Sequence, residues 1–213
     1  MTTSEKQLEL DKIAQEIKDF KGLDIAKNCT NSVPGEGNPD AQIMFIGEAP
    51  GFNEDLQGRP FVGQAGKLLE KTLKEVLNLN RSDVYITNIV KFRPPDNRDP
   101  FPNEIEACKK WLDAQISIIQ PKIIATLGRY SMGKFIPDVT ISRTHGQSRF
   151  VTFNNQKFIV FPMYHPAAAL RAGAVMEQFI LDFNKLKSLI SVSSNSTPQT
   201  TPQKPELTQP TLF

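Results

Sequence analysis

Residues 43–66 read IMFIGEAPGFNEDLQGRPFVGQAG. Four apolar residues run directly into a turn, Gly47 to Gly51, that carries two glycines and a proline. An apolar run of this kind suits a strand buried on both faces, as in a parallel sheet. Glycine at its carboxyl end lowers stability unless the turn, or something approaching the backbone, requires it. An acidic pair, a Pro60–Phe61 step and a helix-period segment from Ala65 follow. Strand, tight turn and helix in that order open a βαβ unit.

Three further runs repeat the strand signal: VYITNIV (84–90), KIIATLG (122–128) and KFIVFPMY (157–164). Helix-period segments separate them at 65–79, at 102–119, where Pro102 opens the helix and Pro121 stops it, and at 128–135. A closing helix is expected over 167–190, its start blurred by Gly173. The alternation predicts a three-layer α/β/α sandwich around a central, mainly parallel four-stranded sheet. The first twenty residues read as an amphipathic helix without an apolar signal core. Residues 1–190 are expected to form one domain. From 191 to 213 Ser, Thr, Gln and Pro dominate, and a disordered tail is expected.

The chain has 213 residues, 39% hydrophobic and 23% charged, the composition of a soluble globular protein. No apolar run approaches the roughly 20 residues that span a bilayer, so no membrane partner is expected. A net charge of +2 permits a nucleic-acid partner without requiring one. Two cysteines, Cys29 and Cys108, neither make a disulfide framework nor close a metal site.

In open α/β sheets, ligands bind beyond the carboxyl ends of the strands. There the chain places Glu48 to Gly51, Asn88, Gly128 and His165. An Asn amide offers an acceptor beside a donor, the complement of the N3–H and O4 edge of uracil. A Phe after a Pro can stack on a flat base, worth roughly 1–3 kcal/mol. A His can donate to a carbonyl oxygen as negative charge builds on it. Taken singly, each has a plainer reading: His165 as a loop cap, Asn88 as a structural hydrogen-bonder, Phe61 as core. GEAPG alone could be a phosphate-binding turn, although it lacks the spacing of a P-loop or GxGxxG. The joint spacing carries the argument.

From Val33 to Ile190 the chain resembles the family 4 uracil-DNA glycosylases of bacteria and archaea. The motifs are VPGEGNPDAQIMFIGEAPG, GRPFVGQAGKLL, VYITNIVKFRPPDNRDP, ACKKWLDAQI, PKIIATLGR and HPAAAL, in that order. The resemblance implies a prokaryotic cytosolic monomer that hydrolyses the N-glycosidic bond of uracil flipped out of single- or double-stranded DNA, starting base excision repair. Gly47, Ala49 and Gly51 would line the pocket, Phe61 would stack on the base, and Asn88 would read its Watson–Crick edge. Glu54 would exclude the methyl group of thymine. His165 would support the uracil anion, and Glu48 is the candidate to position water. Ala49 stands where the related family 1 enzymes carry an Asp. Lys91, Arg93, Arg98 and Arg171 are expected on phosphates, with Leu170 as a wedge in the minor groove or, equally, as the first core residue of the last helix. His145 reads as a loop residue near DNA. The competing readings are a protein that binds uracil-containing DNA without turnover and, more remotely, a nucleotide-binding α/β enzyme.

Members of that family hold a [4Fe–4S] cluster on four cysteines. Aligned on PGEG, the four positions are Phe20, Leu23, Phe92 and Cys108 in this chain. Only the last is a thiol, so no cofactor is expected. The three apolar residues are expected to pack around Cys108. The chain ends in Gln209-Pro-Thr-Leu212-Phe213, which resembles the short peptides that bind sliding clamps.

Overall fold

The computed structural model describes residues 1–154 and 156–194. A six-stranded sheet forms the middle layer: β1 (Glu36–Gly37), β2 (Ile43–Gly47), β3 (Tyr85–Asn88), β4 (Ile123–Leu127), β5 (Arg149–Phe153) and β6 (Gln156–Met163). Their order is β1-β3-β2-β4-β6-β5. The inner four are parallel and correspond to the four expected runs. The expected four-stranded sheet is corrected to six, because an antiparallel strand closes each edge. Strand β1 is two residues long, with Gly35 and Gly37 at positive φ, which leaves no periodic signal to read. Strand β5 is partly exposed and pairs with β6 as a hairpin, Val151 opposite Phe158.

Side chains alternate across the buried strands, so one sequence supplies two cores. On one face Phe45 and Phe161 pack with Leu69, Leu73, Phe179 and Phe183 from α4 (Gln64–Thr72), the π-helical turn Leu73–Leu77 that extends it, and α9 (Gly173–Ser194). On the other, Met44 and Ile46 pack with Leu112 and Ile116 of α5 (Pro102–Ile119) and Met132 of α6 (Arg129–Phe135). Helix α1 (Thr3–Asp19), closed by a Thr2–Glu5 capping box, lies against α5.

The expected closing helix divides. A four-residue α8 (Pro166–Ala169) caps the end of β6, and α9 begins at Gly173. Helix α9 continues to Ser194, past the expected boundary at 190, with Leu189 and Ile190 packed on the core. The clamp-like peptide, Gln209, Leu212 and Phe213, lies outside the described residues. Among the described residues no helix is long and apolar enough to cross a membrane.

Candidate active site

The glycine turn after β2 is shaped by what crosses over it. Gly47 ends β2 level with Asn88, which ends β3. A Cβ on Gly47 would lie 2.4 Å from Asn88 Oδ1 and 2.5 Å from the Phe61 ring, so any side chain there would displace both. The Ile89 and Val90 amides donate to the Gly47 and Glu48 carbonyls at 3.1 and 3.0 Å, which pins the turn to the chain leaving β3. Asn88 is 2% exposed, and its Oδ1 is buried without a hydrogen-bond partner. An orphaned buried amide oxygen ordinarily costs about 1–3 kcal/mol.

Phe61 is buried, yet it sits at φ 51°, in the left-handed region that bulky residues avoid. Three sets of contacts hold it there. Glu54, on α3 (Phe52–Gln57), accepts from the Val62 and Gly63 amides at 2.8 and 2.7 Å. Arg81 donates to the Phe61 and Pro60 carbonyls at 2.8 and 2.6 Å. Gly66 lies so close beneath that a Cβ would fall 1.9 Å from the Phe61 carbonyl oxygen.

His165 follows β6 and caps α8. Its Nδ1 accepts the Ala167 amide at 3.1 Å. Burial, with the nearby Arg171 charge adding to it, pulls the imidazole down to about 4. The ring is therefore neutral at pH 7, and with Nδ1 accepting, its proton sits on Nε2. The His165 and Phe61 rings lie 5.6 Å apart, centre to centre. Gly128, at φ 95°, lets β4 close against His165, where a Cβ would stand 3.2 Å from the histidine's own.

Glu48 is half-buried. Burial, reinforced by Asp99, raises its carboxyl to about 7, against the pull of Arg129. Asp99 and Arg129 form an ion pair across the rim. The cleft measures about 610 Å³, and Glu48, Gly51, Phe61, Asn88, His165 and Arg171 all line it. Ala49 and Glu54 line it too. Three strand ends thus deliver an unpaired acceptor, an N–H donor and a carboxyl group to one cavity, and the loop between α3 and α4 adds the Phe61 ring.

The basic residues divide. Arg171 and Leu170 are exposed beside the cleft, Leu170 at 49%, in the break between α8 and α9 and not in the core. Arg93 lies over the Phe52 ring at 5.1 Å and donates to Asn97. Arg98 lines the rim with its charge matched by a two-pronged bond to Glu104 at 2.9 and 2.7 Å. Lys91 is corrected outright. It is 0% exposed, with Nζ donating to Thr87 Oγ1, the Asn88 carbonyl and Gln115 Oε1 at 2.7–2.8 Å, so it cannot reach a phosphate. A basic loop is indistinguishable in sequence from a basic residue that turns inward to close the end of a strand. His145 is likewise tied down: it bonds Asp182 of α9 at 2.9 Å and packs on Tyr164, a residue of the cleft wall.

Beyond the sheet, Phe20, Leu23 and Phe92 do pack with Cys108, joined by Trp111. Phe20 stacks on Phe92 at 5.9 Å and meets Trp111 edge-on at 5.0 Å. Phe92 is 1% exposed and Cys108 0%. Cys29, which the alignment left without a role, packs on the same group. Three hydrocarbon side chains and a buried thiol do not make the four-thiolate set an iron–sulfur cluster needs.

A mainly parallel sheet whose strand ends converge on such a cleft defines a class, and the chain belongs to the uracil DNA glycosylase superfamily, whose family model matches residues 34–186. Within it, the chain is 50% identical over 187 residues to the Type-4 uracil-DNA glycosylase of Sulfurisphaera tokodaii, covering 84% of each chain. It is 48% identical over 189 residues to that of Saccharolobus solfataricus, covering 85% of this chain and 87% of the relative. With that of Archaeoglobus fulgidus it shares 46% over 186 residues, 84% of this chain and 92% of the relative.

Proposed function

We propose that this protein is a monofunctional uracil-DNA glycosylase that cleaves the N-glycosidic bond of a uracil rotated out of DNA, the activity for which the Type-4 relatives are named. The observation that carries the reading is the unpaired Asn88 Oδ1 at the cleft floor. Uracil N3–H satisfies it, while the amide nitrogen donates to O4. Cytosine presents an acceptor at N3 and leaves the oxygen unpaired, a penalty of about 1–3 kcal/mol.

With the base so read, Phe61 covers its face and His165 Nε2–H points to O2. The C1′–N1 bond breaks with its electron pair leaving on uracil, and the neutral imidazole donor steadies that charge without itself giving up a proton. Water adds through oxygen to the cationic C1′, and Glu48 as carboxylate orients it and takes its proton. Extruding the base costs a few kcal/mol, least from single strands. Leu170 and Arg171, exposed in the break before α9, serve the vacated stack and the backbone phosphates. The protein works without a cluster, its ligand space taken by the Phe20–Phe92–Trp111 packing.

The test is excision from an oligonucleotide carrying one uracil, read by alkaline strand cleavage, with thymine and cytosine strands as controls. Scission at uracil alone, abolished or much reduced by Asn88→Ala and His165→Ala, is expected. Tight uracil-dependent binding without scission would replace this reading with that of a non-catalytic binding protein.

A further inference from the structure

The base-stacking ring stands on a backbone that is wrong for it, and the residues correcting it lie far from the cleft in sequence. Phe61 at φ 51° sits in the left-handed region that bulky residues avoid. Such residues persist only where the surroundings over-determine them. Here the surroundings include a three-residue ionic assembly. Glu36, on the edge strand β1, accepts Arg81 Nη2 and Nε on one oxygen at 2.6 and 3.0 Å. Arg59 donates to both Glu36 oxygens, at 2.7 and 3.0 Å. Burial works to raise the Glu36 carboxyl, but the bonds from Arg59 and Arg81 outweigh it and hold the group below the usual carboxylate range.

Arg81 thus has one edge anchored on Glu36 while its remaining N–H groups reach the Pro60 and Phe61 carbonyls. A guanidinium is rigid, planar and always charged, so anchoring one edge fixes where the other points. No shorter or more flexible cation could do both. The Arg81 side chain is 13% exposed, which keeps water from competing for those carbonyls. We propose that Arg81, anchored by Glu36, is a positioning residue that holds Phe61 in its strained turn and so sets the height of the stacking ring above Asn88 and Gly47. The proposal rests on the uracil-excising reading of the cleft and adds to it a second, ionic layer built from the sheet edge.

Stacking acts on bound base before and during cleavage alike, so its loss appears in KM while kcat changes little. A merely structural loss would do the opposite, reducing the active fraction and the apparent kcat at unchanged KM. Arg81→Met is expected to raise KM on a uracil oligonucleotide about tenfold, within the range of one lost base stack. The decisive measurement is a double-mutant cycle with Phe61→Ala. If Arg81 acts through the ring, Arg81→Met has little further effect on kcat/KM once the ring is gone, although its effect on the melting temperature remains. Should Arg81→Met fail to fold, Glu36→Gln keeps the fork, weakens its anchor and enters the same cycle, with a smaller KM increase expected. Full additivity with Phe61→Ala, or a KM equal to wild type in a folded variant, would overturn the proposal. A wild-type protein that does not cleave would instead defeat the glycosylase reading, leaving the cycle to be measured on oligonucleotide binding.

Discussion

Between Asn88 and Phe92 the chain passes from one buried region to another of opposite character. At Asn88 it floors a cleft with an unpaired amide oxygen, faced by a strained phenylalanine and a neutral histidine. Four residues later, Phe92 enters a cluster of rings and aliphatic side chains. The first region leaves one polar atom, Asn88 Oδ1, unsatisfied, and in the proposed reading a base satisfies it. The second has hydrocarbon at three of the four positions where the family resemblance implies thiolates. The difference separates what the reaction needs from what the fold needs: chemistry depends on groups kept available, stability on groups fully packed.

The contrast predicts that damage to each region is read by a different instrument. Phe92→Ala should cost about 3–5 kcal/mol of unfolding free energy, the range for a buried phenylalanine, with excision per folded molecule retained. A melting curve that does not move would mean the cluster is loosely filled, and the comparison would fail on that side. His165→Ala should lower kcat by about 10²–10³, the usual effect of removing one donor to a developing anion, while the melting temperature stays near wild type. If the larger effect fell on stability, the histidine would belong with the packing.

Glu48 sharpens the picture through pH. Its carboxyl titrates at about 7 in the folded protein against 4.5 ordinarily, so the folded state holds its proton more tightly than the unfolded one. Its stabilising effect is complete below pH 4.5 and is lost as pH rises through 7, whereas its use as a carboxylate begins only there. Activity should therefore rise through pH 7, and Glu48→Gln should flatten that limb and lower the plateau about 10²-fold, the low end for a positioned general acid or base. His165, at about 4, contributes no limb above pH 5. The smallest effect is expected at the cleft mouth. Leu170→Ala should slow excision from double strands a few-fold and leave single strands unchanged, because only a duplex has a stack to fill. An equal loss on both substrates would remove the wedge role from Leu170.

Much of this was legible because buried parallel strands advertise themselves as apolar runs and because ligand chemistry collects at their carboxyl ends. Asn88, Glu48 and His165 could be placed in one cleft on that ground, and Phe61 joined them through the family resemblance. The edge strands were not legible: β1 is too short for a period, and β5 is half solvent-facing. Lys91 misled, since only the fold shows its amine curling back onto Thr87, Asn88 and Gln115. Glu54 lines the cleft, and its bonds to Val62 and Gly63 depend on an eight-residue return of the chain that no periodicity announces. Arg81 was missed altogether. Its partner Glu36 lies 45 positions away, and nothing in a lone arginine of a surface loop says which carbonyls it will meet.

In the proposed reading, the unpaired oxygen on Asn88 also governs what happens after the bond is cut. Free uracil presents the same N3–H that the base offered while attached to DNA, so the product relieves the same buried atom and occupies the same seat. Departure of the base then reopens an energetic gap that its arrival had closed. The selectivity written into that one atom makes the freed base a competitor of the next substrate, and it ties the pace of repair to how readily the cleft tolerates being empty.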